Sequence, residues 1–242
     1  MKLIFIELNE VNFDVVQNYL NSGACLPGFK KIMENNFITT TAESEYAHLE
    51  PWIQWPSIHT GKVYSEHQVF RLGDFVNSDH KQFFEKVENV GFSVGAISPM
   101  NAANKLVNPA YFIPDPWTQT STDGSYFSKS IASAVSQGVN DNSQSKLSLT
   151  TIINLGLAFL FLVNPRRFIP MVKYAFRSLG KPWRKALFLD MLLYEIHKTL
   201  FKRKAPDFST LFLNAGAHIQ HHYFFNSPYV NSSILKDRKS VV

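Results

Sequence analysis

A chain of 242 residues, 45% apolar and 14% aromatic, carries enough material for a large packed core and falls outside the disordered class. The net charge of +5 is mildly basic for this length, and a single cysteine, Cys25, excludes an internal disulfide framework and a thiolate zinc site. The lone thiol reads as a reducing, cytoplasmic setting; MKLIFIELNE is too short in its apolar run for a secretory signal, and no stretch reaches the roughly 18 apolar residues of a membrane span.

In chain order, Lys2 to Leu8 (KLIFIEL) reads as a buried strand, because β-branched and aromatic residues run together before an abrupt polar cluster. Asn12 to Asn21 has helical spacing, with Phe13, Val16 and Leu20 on one side and Gly23 as a stop. Asn9 is a candidate cap for that helix. A second short helix is expected over Leu26 to Glu34, a β-rich segment over Asn36 to Thr41, and a polar loop over residues 42–50. Pro51 to His59 reads as a short Trp-rich helix or turn closed by Thr60-Gly61. Trp52 and Trp55 suit stacking on a sugar or base, although aromatics at this spacing are more often core. Phe83 to Val90 reads as a helix, Phe92 to Ile97 as a strand, and Pro114-Asp115-Pro116 as a rigid turn, whose aspartate is by default a turn residue and alternatively one that faces the site.

Composition shifts near Thr118. Residues 118–147, rich in Ser, Thr, Gln, Asn and Gly, read as an exposed connection, and residues 148–204 as a basic helical block divided near Gly180-Lys181-Pro182. Asp207 to Leu213 is then a second buried strand, whose end delivers Asn214 and the cluster His218, His221 and His222. The expected architecture is α/β, a mostly parallel sheet flanked by helices in three layers: one domain over 1–236, with 118–205 a linker plus helical insertion and 206–236 the return to the core. The ending Asp237-Arg238-Lys239-Ser240-Val241-Val242 is the translation of a nucleotide stretch resembling a sequencing adapter. It is expected to be a non-native tail on an incomplete chain.

If the two strands lie side by side and parallel, their polar ends meet in one crevice. FIELNEVNFD, PSIHTGKVYSEHQV and NAGAHIQHH, in that order and with an insertion before the last, resemble the alkaline phosphatase superfamily, particularly its type I phosphodiesterase and nucleotide pyrophosphatase branch. The resemblance covers roughly residues 1–115 and 206–225. It implies a metal-dependent hydrolase or transferase acting on a phosphate ester or phosphodiester, with divalent ions, zinc or manganese, polarising the phosphoryl oxygens.

By position, Asn9 and Asn214 fall where that family has metal-binding Asp residues, and His218 falls on its later His. Glu7, Glu10 and His222 complete the candidate metal ligands. Asn is a weaker ligand than Asp, so the flanking glutamates would have to compensate. The family's nucleophile position corresponds to Pro51, which has no nucleophilic atom. Ser57 is the nearest hydroxyl in the motif and the candidate nucleophile, with Glu50 the second candidate catalytic group. The family's remaining ligands come later in the chain. The substrate expected is a phosphorylated small molecule or a lipid- or glycan-linked one. The alternative is a non-catalytic glycan- or nucleotide-binding descendant of the same fold. Basic amphipathic helices within 148–204 suit peripheral contact with an anionic membrane, and nucleic acid is not an expected partner.

Overall fold

The computed structural model describes residues 2–35, 37–140 and 149–223. Four strands form one all-parallel sheet among these residues: β1 (Leu3–Leu8), β2 (Val94–Ile97), β3 (Tyr111–Ile113) and β4 (Phe208–Leu213), in the spatial order β1-β4-β2-β3. The last strand in sequence therefore enters the middle of the sheet. β4 is apolar throughout apart from Ser209 and Thr210, and it is buried along almost its whole length because it has a neighbour on each side and helices above and below.

Between β1 and β2 lie α1 (Phe13–Asn21), α2 (Pro27–Met33), α3 (Pro51–Thr60), α4 (Tyr64–His67) and α5 (Phe83–Asn89). Asn12 caps α1 by accepting from Val15 N–H at 3.0 Å, so Asn9 is released from the capping role considered above. Between β3 and β4 run α6 (Tyr126–Asn140), α7 (Leu149–Leu162), α8 (Pro165–Ser178) and α9 (Pro182–Lys204), and β4 leads into α10 (Ala215–Tyr223). No helix among the described residues is long and apolar enough to cross a membrane.

Strand alternation sorts the core into two faces. Phe208, Thr210 and Phe212 of β4 look toward α3 and α5, where Phe208 packs with Phe84, Val94 and Ala102, and Phe212 with Trp55 and Met100. Leu211 and Leu213 look the other way, into a larger cluster with Ile131 of α6, Leu162 of α7, Met171 of α8 and Ile196 of α9. The result is a helix–sheet–helix arrangement.

Three expectations are corrected. Residues 37–41 form no strand. Residues 126–140, expected to be an exposed connection, form α6: among its serines, Phe127, Ile131, Ala134 and Val135 recur at helical spacing, and Ile131, Ala134 and Val135 are buried. Residues 141–148 lie outside the described residues. KLIFIEL does form a strand, but an edge strand: among the described residues β1 pairs only with β4, leaving Leu3 and Ile6 about half exposed at 52% and 53%.

One buried polar network ties the helical insertion to the sheet. Tyr111 Oη lies 2.6 Å from Ser209 Oγ, which lies 2.8 Å from His197 Nε2 on α9. The phenol reaches β4 from β3 by passing over β2 at Gly95, where an added Cβ would sit 2.4 Å from the ring. Gly95→Ala is therefore expected to destabilise the fold by about 2–3 kcal/mol through overpacking, read in urea denaturation. Pairing with Tyr111→Leu should recover part of that loss.

Burial pushes the Tyr111 hydroxyl up to about 12 and holds His197 down to about 4. The unfolded chain then binds a proton at His197 below its ordinary 6.5 that the folded chain refuses until about 4. Stability accordingly rises with pH through that window and is lost on acidification, by about 3 kcal/mol in full. Unfolding titrations across the window should show this slope in the native chain and lose it in His197→Gln.

Candidate functional site

The register that sets Leu8 against Leu213 makes Asn9 and Asn214 leave the sheet together. Asn9 N–H donates to the Leu213 carbonyl at 3.0 Å, extending the ladder by one bond beyond the strands. The side chains then join: Asn9 Nδ2 donates to Asn214 Oδ1 at 2.8 Å, and Trp55 Nε1 donates to Asn9 Oδ1 at 2.9 Å. An indole N–H can only donate, which fixes the Asn9 amide with its oxygen toward Trp55 and its nitrogen toward Asn214. Trp55 itself is a core residue, packed edge-on against Phe212 with ring centres 5.2 Å apart.

One strand-step beneath lies a second buried cluster. Glu7 Oε2 is 3.2 Å from His59 Nε2, both side chains being fully buried, and Thr210 donates to Glu7 Oε1. His59 is wrapped by the rings of Trp55, Phe83 and Phe84, and its Nδ1 has no hydrogen-bond partner among the described residues. Glu7, a candidate metal ligand, is thus engaged by an imidazole and a hydroxyl inside the α3-side core.

At the rim, Glu10 takes a left-handed backbone with φ of 52°, which turns its carboxylate toward α10, where Oε2 meets His221 Nε2 at 3.2 Å. Gln220 donates to the Glu10 carbonyl. The approach of α10 to this loop requires Gly216, whose added Cβ would lie 2.8 Å from Val11 and 3.3 Å from the Asn9 carbonyl. His218 is half-buried beside the pair. Desolvation chiefly, then His221 and His222, hold it below the ordinary histidine range against the opposing pull of Glu10. His222 is exposed. Among the described residues, no three of His, Cys, Asp and Glu are grouped to hold a metal ion.

Asp190, on α9, accepts from Asn214 N–H at 3.1 Å and Ala215 N–H at 2.7 Å, satisfying the first donors of α10. Burial pushes its carboxyl up to about 6 against those two bonds. Its sequence neighbourhood, FLDML, gives no sign of this role.

α3 carries the central motif. Pro51 opens it at a position that needs no N–H, and Gly61 closes it at φ 71°. Pro56 leaves the Trp52 carbonyl without its helical donor; the Asn101 amide donates there instead at 2.7 Å, while its oxygen accepts from Gly73 N–H at 2.9 Å. Asp115 holds the Asn101 backbone in turn at 2.7 Å and also accepts from Trp117 and Thr118, so the turn aspartate is a buried brace rather than a rim group. Burial raises its carboxyl above the usual range.

Ser57 Oγ is 2.9 Å from His67 Nε2. His67 Nδ1 accepts from Val69 N–H at 3.0 Å, so the neutral ring carries its proton on Nε2 and donates it to Ser57. Burial first, then His80, keep this imidazole below its ordinary value. Glu50 is exposed just ahead of α3, roughly 10 Å along the helix axis from Ser57 by helical rise. The structure therefore joins Asn9, Asn214 and Trp55 in one layer and Glu7 with His59 in the next; Glu10 and His221 with His218 form the rim, and Ser57 forms a separate dyad. A shallow concavity of about 460 Å³ between the 76–81 loop, α5 and Lys105 contains none of these groups.

Fold and site define an α/β protein with a parallel sheet, helices on both faces and a cluster of polar side chains at the carboxyl ends of β1 and β4. No family model, no curated protein and no solved structure matches the chain.

Proposed function

We propose that this chain is a non-catalytic binding domain of the alkaline phosphatase-like type, taking a nucleotide or glycan at the β1–β4 crevice without a structural cation. The single observation that carries the reading is the 2.8 Å bond between Asn9 and Asn214. Two carboxylates at this spacing would repel and need a cation between them. Two amides satisfy one another, and a divalent ion does not fit between them while that bond is made. The donor set therefore does not fit the two-ion centre that the sequence resemblance implies. Glu10, His218 and His221 remain at the rim to meet ligand hydroxyls or phosphate oxygens.

A second reading, the metal-dependent phosphodiesterase, draws support from the Glu10–His221 pair at 3.2 Å, two groups of the kind that ligate zinc. Calorimetric titration with AMP and with short glycans, in chelator and in zinc or manganese, separates the two. Binding that persists in chelator, with no cleavage of a nitrophenyl phosphodiester, is expected. Turnover that needs the metal and disappears in chelator would establish the second reading in its place.

A further inference from the structure

α8 divides into three faces. Phe168, Met171, Ala175 and Ser178 turn inward; Met171 and Ser178 are buried, and the Phe168 ring lies 4.9 Å from Phe159 of α7. Ile169, Val172 and Phe176, spaced by three and four residues, form an outward stripe that is 68%, 45% and 70% exposed, and Leu179 continues it just past the helix end. Arg166, Lys173 and Arg177, spaced by seven and four residues and exposed, run alongside as a basic stripe. Large apolar residues aligned in solvent on a charged helix want a partner that is apolar and anionic at once.

The charge pattern says which. From Leu149 to Leu189 the sequence has seven basic residues, Arg166, Arg167, Lys173, Arg177, Lys181, Arg184 and Lys185, and no acidic one. α7, preceding α8, has no charged residue and exposes Leu149, Ile152, Ile153 and Leu160. We infer that α8 docks in the plane of an anionic lipid bilayer, with Ile169, Val172 and Phe176 at the acyl boundary and Arg166, Lys173 and Arg177 at the phosphate level. An anionic bilayer supplies both chemistries in the order the helix presents them. Anchoring of the inward face on α9 and the core keeps α8 lengthwise on the body, so it lies on the membrane and does not thread it. At 14 residues it spans roughly 21 Å, too little to cross.

The test is co-sedimentation of the full chain with phosphatidylcholine vesicles, with and without phosphatidylserine at roughly a third of the lipid. Sedimentation is expected with the anionic vesicles and not with the neutral ones, and it should weaken as salt is raised. Ile169→Ser with Phe176→Ser should reduce it at least about tenfold, and each of Arg166→Gln, Lys173→Gln and Arg177→Gln by about fivefold. Because all five side chains are exposed, urea denaturation should find these variants as stable as the parent. Failure to sediment at low salt, equal binding to neutral vesicles, or indifference to the Ile169/Phe176 pair would each overturn the inference. So would light scattering that finds a dimer dissolved by that same pair without lipid binding, which would assign the stripe to a second copy of the chain.

Discussion

Replacing Asn9 and Asn214 together by aspartate is expected to destabilise the fold by roughly 3–5 kcal/mol at neutral pH, and to make its stability depend on a divalent cation. The amides sit at 2.8 Å and Asn9 is nearly fully buried. Two ionised carboxylates there repel by about 6 kcal/mol at an effective dielectric of 20, and Trp55 can still donate to only one of them. One carboxyl would retain its proton, so its folded-state pKa lies above its unfolded one. The sign follows: the penalty is full above that raised pKa, shrinks as pH falls below it and is gone below the unfolded value. Zinc or manganese should restore stability in the double variant and leave the parent unmoved, as measured by urea titration with and without chelator. A parent chain that gains as much from the metal as the variant would count against the cation-free reading of the crevice.

The second large effect concerns Glu7 and His59. Truncating Glu7 to Ala is expected to cost about 3–5 kcal/mol, because it strips His59 Nε2 and Thr210 of their acceptor in a site with no solvent. Glu7→Leu combined with His59→Phe should cost markedly less than the sum of the single changes, since the rings of Trp55, Phe83 and Phe84 already provide an apolar setting for the imidazole. A double-mutant cycle by chemical denaturation checks this. Additive losses would mean that the two side chains act independently and that the pair does not hold α3 to the sheet. Circular dichroism should retain the parallel-sheet signature in the double replacement even where binding at the crevice above it weakens.

Much of the framework was legible in local sequence. KLIFIEL and DFSTLFL each read as a strand with a polar end, and β1 and β4 lie side by side and parallel, the condition under which those ends meet. The boundaries of α1, α3 and α5 follow from Asn12, Pro51, Gly61 and the spacing of apolar residues. α6 is not legible there, because its Ser and Gly content masks the period of Phe127, Ile131, Ala134 and Val135. The edge position of β1 is not legible either, because an apolar run reports only what a strand could bury, while its neighbours decide what it does bury.

The site divides along the same line. Sequence alone determined which residues stand at the strand ends, since the apolar, β-favouring runs give way to asparagine, a poor strand former, at Asn9 and Asn214. It also determined that the 149–189 segment joins apolar and basic helical stripes without an acidic residue. Tertiary structure alone decided the pairings: Asn9 with Asn214 across 205 residues, Glu7 with Thr210 across 203, Trp55 with Asn9, and Asp190 beneath the start of α10. The reason is physical. Backbone propensity and periodicity act over a few residues, but a side-chain hydrogen bond depends on which distant segments the sheet register brings within 3 Å.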